Sequence, residues 1–419
     1  MARYSTLLKI ISTELKFNGF TSELFGLYNI SVGLIILAFN RLKAADKFMR
    51  AHRATRSAPL QKFIEKLMRT FNLYRGEIMK ALIIVKEDDK ELLAKRIFVL
   101  KEPRQGEKGV LIVSFDIFGY LGLRHNMKKI LNDYSLILEP SWSGYCAPEI
   151  MQFLSYPENK IIVQATEKLD YEFIRRLHGN LIPIDIGASN WVDERIFDDL
   201  NLEKIYDCIM VAQWGLFKRH HILFDAIKKL KDPSYRACLI GAAWGGRTRQ
   251  DIEELIAYYG LKNNIDIFEK LRPEEVNELL NKSKVGVLLS RKEGSNRAIF
   301  EGMFANVPAI VLKDNTGVNK SYINDKTGVL IDRSELGHYL DWFRENYGKF
   351  QPRKWALENI TCQISTARLE ELLKRVAEES GQCWSRGIET KVNRPEFQFY
   401  DSNIELKQLD LDKYPLPIE

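Results

Sequence analysis

The sequence predicts an α/β protein: two doubly wound, parallel-sheet domains behind a helical N-terminal extension. Three observations predict it. The chain has 419 residues, more than one core usually serves. From residue 96 onward, short apolar, β-branched runs alternate with amphipathic helical stretches; such a pattern is that of strands buried on both faces of a parallel sheet. Residues 1–95 lack this alternation and place apolar residues at helical spacing instead.

Taken in order, the extension contains an uncharged run, Leu24 to Phe39, which is slightly short of the about 20 residues a spanning helix needs. It comes too late for a secretory signal and has no small-residue cleavage site after it. Arg41 to Arg56 is strongly basic. The next segment carries Phe63, Leu67, Phe71 and Tyr74 on one side of a helix. Two readings stand for residues 24–56. Either they lie on a cytoplasmic membrane face, or they form a hydrophobic helix docked on the body with a solvated basic flank.

Strands are expected at 96–100, 109–115, 134–140, 159–165 and 180–186, then at 206–213, 235–243, 264–270, 285–290 and 307–314. The two groups give domains at 96–204 and 205–359. The tail carries one more helix ending at Gly381, then an irregular stretch with Pro395, Pro415 and Pro417.

Composition narrows the class. With 45% hydrophobic and 28% charged residues, the chain reads as folded and soluble. A net charge of +6 spread over mixed acids and bases excludes wholesale nucleic-acid coating and suits an anionic substrate or membrane surface. The five cysteines are odd in number and show no C-x-x-C spacing, which argues for a reducing compartment and against a disulfide framework or zinc site.

In parallel α/β sheets ligands bind beyond the carboxyl ends of the strands, so the residues after each strand matter most. After the 206–213 strand come Lys218, Arg219, His220 and His221 where a loop turns into a helix; cations beside helix-start amides suit a phosphate. After the 235–243 strand, Gly241, Gly245 and Gly246 permit tight turns, Arg247 and Arg249 follow, and Thr248 is placed to cap a helix. After the 285–290 strand comes RKEGSNRAIFEGMF. There Ser295 or Asn296 caps a helix, the amides of Ser295, Asn296 and Arg297 offer an anion site, and Glu293 and Glu301 supply carboxylates able to accept hydrogen bonds from vicinal hydroxyls. In the first domain Asp116, Gly119 and His125 follow one strand, and Glu139 and Trp142 follow another; they are the candidates for an acceptor pocket.

EGSNRAIFEGMFANVPAIV resembles the E-x7-E signature of glycosyltransferase family 4, a retaining group with the GT-B fold. YDCIMVAQWGLFKRHHILFDAIKKL, YRACLIGAAWGG, VNKSYINDKTGVLI and IPIDIGASNWVDERIF resemble its other segments, in order, over residues 180–332. The resemblance implies two Rossmann-like domains facing a cleft, with the tail (360–419) returning to the N-terminal, acceptor-side domain. It implies that Glu301 holds ribose hydroxyls, Glu293 touches the donor sugar, Lys218 neutralises the diphosphate leaving group, and the amides of 295–297 bind phosphate oxygens. The sequence departs from the family pattern at Gln213, where an Arg is usual and for which Arg219, Arg247 or Arg297 are substitutes, and at Asn296, where a glycine is usual.

The activity implied is transfer of a sugar from a nucleotide-diphosphate sugar to an acceptor hydroxyl, with retention, in polysaccharide or glycolipid synthesis. No metal or other cofactor is expected. The expected partners are a nucleotide-sugar and a saccharide or lipid-linked acceptor, with peripheral membrane contact through residues 24–56 and no nucleic acid. The expected place is the cytoplasm. The alternative is a non-catalytic nucleotide-sugar or carbohydrate binder on the same fold, which Gln213 motivates; a sugar phosphorylase ranks below it because no lysine context suggests pyridoxal phosphate.

Overall fold

The computed structural model describes residues 2–84, 93, 95–104, 106–115, 117–393 and 397–416. The chain forms two compact units. The first takes residues 19–188 together with 362–416, and the second takes residues 2–18 together with 189–361. Residues 2–18 and 189–204 thus group with the second unit, whereas the sequence reading placed its start at 205.

The first unit holds β1 (Ile97–Lys101), β2 (Gly109–Ser114), β3 (Tyr134–Glu139), β4 (Ile161–Gln164) and β5 (Leu181–Ile184), in that spatial order. β2 to β5 are parallel, but β1 is antiparallel to β2. The connection from Lys101 to Gly109 is too short for a parallel crossover, so the chain turns back as a hairpin. One face of the sheet (Leu111, Val113, Leu136, Leu138, Ile161, Val163) shares a core with Phe118, Phe153 and Phe173 from the intervening segments. Ala44, Phe48 and Met49 of helix Arg41–Ala54 and Ile64 and Met68 of helix Ala58–Thr70 belong to that same core. These helices are therefore built into the first unit.

The row Phe63, Leu67, Phe71, Tyr74 is not the inward face of helix Ala58–Thr70. Gln61, Ile64, Glu65 and Met68 are buried, while Phe63 and Phe71 are exposed. Glu65 can face inward because His52 Nε2 meets it at 3.1 Å and Arg176 donates to both its oxygens at 2.6 and 3.0 Å. Burial alone would raise its pKa, but Arg176 and His52 outweigh burial and hold it at about 2.

The tail also differs from expectation. Helix Cys362–Glu379 is followed by an antiparallel hairpin of Lys391–Asn393 with Phe397–Phe399, where the sequence suggested irregular chain. Two buried polar residues secure it: Lys391 pairs with Glu139, and Asn393 Nδ2 donates to the Ala188 carbonyl at 3.0 Å.

The second unit holds β6 (Cys208–Val211), β7 (Ala237–Gly241), β8 (Ile265–Glu269), β9 (Gly286–Leu288), β10 (Ala309–Leu312) and β11 (Gly328–Ile331). All neighbours are parallel, in the order β11-β10-β9-β6-β7-β8. Side chains alternate between two cores. Met210, Leu239 and Ile310 face helices His220–Leu230, Arg249–Tyr259 and Leu336–Asn346. Ile209, Ile240 and Val311 face helix Ala298–Phe304 on the other side. Counted from β6, the order is 3-2-1-4-5-6, a doubly wound sheet whose direction of winding reverses between β6 and β9. A crevice is expected at the carboxyl ends of those two strands.

The five cysteines are free thiols; all are buried except Cys383.

Candidate functional site

Two of the predicted residues meet at that reversal. After β6 the chain passes through the short 3-10 turn Leu216–Lys218, and Arg219 takes a left-handed conformation (φ 59°) that launches helix His220–Leu230. The turn delivers Lys218 to the carboxyl end of β6. After β9, Ser290 and Arg291 lead to Glu293. Lys218 Nζ donates to Glu293 Oε1 at 2.7 Å and to Oε2 at 2.9 Å. Both residues are buried, Lys218 at 8% and Glu293 at 6% exposure. Ser290 Oγ adds a hydrogen bond to Glu293 Oε1 at 2.5 Å, and Asn315, fully buried, donates to the Ser290 carbonyl at 2.8 Å.

The backbone of this loop is fixed as closely as its side chains. Glu293 N–H donates to the Thr316 carbonyl at 2.7 Å, and Thr316 N–H to the Arg291 carbonyl at 2.8 Å. Gly317 sits at φ 109° against this loop; a Cβ there would lie 2.2 Å from the Glu293 carbonyl oxygen. Only glycine permits that approach.

The segment from Glu293 to Glu301 folds as a loop into the seven-residue helix Ala298–Phe304. Asn296, one residue before the N-cap Arg297, braces the helix start, with Oδ1 accepting from Ile299 N–H at 3.1 Å. Asn296 is not among the residues with positive φ, so this hydrogen bond, rather than a left-handed turn, is what the Asn side chain supplies where the resembled family has glycine. Ser295 Oγ accepts from the Ser189 amide at 3.0 Å. Glu301 is 8% exposed, and Arg297 Nη2 donates to it at 3.1 Å.

Other predicted donor-side residues have different tasks. Gln213 is exposed at the carboxyl end of β6. Gly241 is required by packing, since a Cβ would fall 2.4 Å from the Trp214 ring. Gly245 and Gly246 form an exposed two-residue turn (φ 59° and 76°) closed by paired hydrogen bonds between Trp244 and Arg247, the geometry that favours two glycines. Thr248 caps helix Arg249–Tyr259 in a capping box with Asp251. Arg219 is 4% exposed, and Asp314 lies 3.6 Å from its Nη1. Burial pulls its pKa below the usual value, with Asp314 and Glu14 opposing. Burial also pushes His220 down to about 3, so its ring is neutral.

Sequence spacing missed what holds this edge from behind. Helix Ala2–Phe17 lies across it. Glu14 meets His221 Nε2 at 2.5 Å and Arg333 Nη1 at 2.5 Å, Lys9 reaches Asp251 at 3.2 Å, and Arg291 Nη1 donates to the Asn18 carbonyl at 2.7 Å. Burial works against the charge on Glu14, but His221 and Arg333 hold its pKa at about 2. Nothing local marks Glu14, because its partners lie 207 and 319 positions away.

The acceptor-side candidates are not brought together. Asp116 lies outside the described residues. Gly119 is packed in helix Phe118–Arg124, where a Cβ would meet Glu149 at 2.9 Å. His125 ends that helix near the backbone of Leu411 and Tyr414, and burial lowers its pKa. Glu139, fully buried, is occupied: Lys391 Nζ reaches its oxygens at 2.9 and 3.0 Å and Ser114 Oγ donates at 2.6 Å. A carboxylate so paired ties down the tail. Trp142 alone remains half-exposed after its strand. Its loop is shaped by Asp170, which accepts from the Gly144 and Tyr145 amides at 2.8 Å.

Comparison with known proteins agrees with this layout. Residues 192–353 match the family described as Glycosyl transferases group 1; the matched stretch lies within the second unit. Sucrose-phosphate synthase from Thermosynechococcus elongatus superposes with a TM-score of 0.52 at 16% identity, over 64% of this chain and 74% of that one. Anabaena HepE, in complex with UDP and glucose, does so with a TM-score of 0.50 at 15% identity, over 63% and 77%. The fold is GT-B. S. aureus TarM matches at a TM-score of 0.47 and 15% identity, over 58% of this chain and 51% of TarM, so the chain spans about half the length of that protein. No curated protein matches the chain.

Proposed function

We propose that this protein is a glycosyltransferase that moves a sugar from a nucleotide-diphosphate donor to an acceptor hydroxyl. The observation that carries the reading is the buried Lys218–Glu293 pair at the point where the winding of the second sheet reverses. A cation and a carboxylate fixed there are suited to a diphosphate and a sugar hydroxyl respectively. Arriving phosphate competes with Glu293 for Lys218, and the carboxylate so released accepts from the donor sugar. Lys218 and the amides of Ser295, Asn296 and Arg297 then stabilise the charge that develops on the leaving diphosphate, and Glu301 takes ribose hydroxyls. The match to group 1 glycosyltransferases over residues 192–353 supports this.

The finer reading is that of the resembled E-x7-E family: retention of anomeric configuration, no metal or other cofactor, and a saccharide or lipid-linked acceptor in polysaccharide or glycolipid synthesis. It places the protein in the cytoplasm, peripheral on the membrane. A second reading, a nucleotide-sugar binder without turnover, is favoured by exposed Gln213 where the resembled family carries a cation.

A thermal-shift screen against UDP, GDP, ADP and their sugar conjugates tests the donor site, with Glu301→Ala as control. Stabilisation by one base, lost in the variant, is expected. No stabilisation by any of them overturns the donor assignment. Release of nucleoside diphosphate in the presence of acceptor saccharides separates enzyme from binder.

A further inference from the structure

Helix Gly19–Leu37 carries an unusual surface. Its buried residues are Gly26, Asn29, Ile30 and Gly33, which fall on one side at 100° per residue. Leu34, Leu27, Leu24, Ile35, Tyr28 and Phe25 occupy roughly the opposite 180°, and all six are exposed, Ile35 at 70%. Phe39, just past the helix, is 88% exposed. Glu23 is the only charged residue in the helix. It is turned inward, accepting from Thr55 Oγ1 and from the Arg56 amide at 2.7 Å. A helix apolar on its outer as well as its inner side needs something to cover it.

The composition and length of Gly19–Leu37 are those of a helix able to cross a membrane. Its attachment argues against crossing. Gly26 and Gly33 form a notch for the next helix; a Cβ at Gly33 would lie 2.7 Å from the Phe48 ring. That next helix, Arg41–Ala54, delivers Ala44, Phe48 and Met49 to the core shared with the first sheet, so the hairpin is fixed to the body. It also carries exposed Arg41, Lys43 and Arg50, which cannot follow into hydrocarbon without a large cost. Exposed Lys62, Lys66 and Arg69 on helix Ala58–Thr70 add to this charge. An apolar half-cylinder flanked by bases fits an anionic lipid surface better than a second copy of the same basic chain.

We propose that Gly19–Leu37 is an in-plane membrane-docking helix, its outer half seated at the acyl boundary of an anionic bilayer and its basic neighbours on the headgroups. This gives the membrane contact put forward above a geometry, and rests on that contact alone. A chain that binds vesicles and transfers no sugar fails the enzymatic reading and keeps this one.

The test is co-sedimentation of the full chain with phosphatidylcholine vesicles, with and without phosphatidylglycerol. Binding is expected only with the anionic lipid, released by high salt. Leu24→Glu and Ile35→Glu, both facing out, should each weaken it about tenfold or more, whereas Leu200→Glu on the second unit should not. Should either outward variant misfold, Tyr28→Trp serves instead: its emission should shift to the blue on vesicles. No blue shift, binding that only detergent reverses, or a salt-stable dimer that Ile35→Glu dissolves would each overturn the proposal.

Discussion

Replacing Lys218 by Met strands the Glu293 carboxylate in a buried site with Ser290 as its one remaining side-chain partner among the described residues. Breaking one side of a buried pair costs about 3–5 kcal/mol, because the remaining charge is left uncompensated. In a unit of this size each kcal/mol moves Tm by about 2–4 °C, so the transition of the second unit should fall by roughly 6–20 °C. The double variant Lys218→Met/Glu293→Gln removes both charges and should recover at least about 2 kcal/mol of the loss. Calorimetry of the full chain follows the transition; nucleoside diphosphate release follows the chemistry. Stability should return in the double variant while turnover stays lower by about 10²–10³-fold. The two losses adding to within about 0.5 kcal/mol, or normal turnover in the double variant, would refute the pair as the centre of the site.

Three further outcomes are expected. Glu14→Gln removes the brace on His221 and Arg333 and should cost about 1–3 kcal/mol near neutral pH; since the folded pKa is depressed to about 2, the gap from wild type should close as pH falls below the ordinary carboxylate range toward that value, read from melts across that interval. His220, held near 3 by burial, is protonated in the unfolded chain first, so stability should be lost as pH falls from about 6.5 toward 3; His220→Gln should flatten that slope in a pH series of urea titrations. Gly317→Ala combines a left-handed backbone with a 2.2 Å contact on the Glu293 carbonyl, so it should lose more than the about 1–3 kcal/mol of strain alone and reduce turnover with it, measured on the same samples.

The strands were legible because each is a short, apolar, β-branched run, and the ten expected runs all contain strands. Period-2 alternation of Ile209 and Met210 between two cores is equally visible in the sequence. Lys218 and Glu293 stand out in the sequence because they follow strands at the carboxyl end of a parallel sheet, and Glu301, inside helix Ala298–Phe304, because of its spacing from Glu293 in the resembled signature. The antiparallel entry of β1 depended on connection length, and β11 was not among the expected strands although, at four residues, it is as long as β4, β5, β6 and β10. Glu139 was misread because a carboxylate after a strand looks the same whether it faces a ligand or, as here, a lysine 252 positions later. Glu14, Asn315 and Arg333 act through contacts between distant segments, which no local pattern encodes. The inward face of helix Ala58–Thr70 is hidden for a related reason: it includes Glu65, whose partners His52 and Arg176 lie 13 and 111 positions away.

The interleaving of the two units sets an order of events on the ribosome. Glu14 emerges early, yet Arg333 follows it by 319 positions, roughly 15–60 s later at about 5–20 residues per second. The first unit, in turn, waits for the segment beyond residue 361 to secure Glu139 through Lys391. Neither unit can be completed by a nascent chain in the order in which its parts appear. His221, 207 positions on, reaches Glu14 well before Arg333 does, so the brace closes in two stages, and until the first of them the helix that carries Glu14, with Leu8 and Ile11 exposed even in the finished fold, is unanchored at that residue.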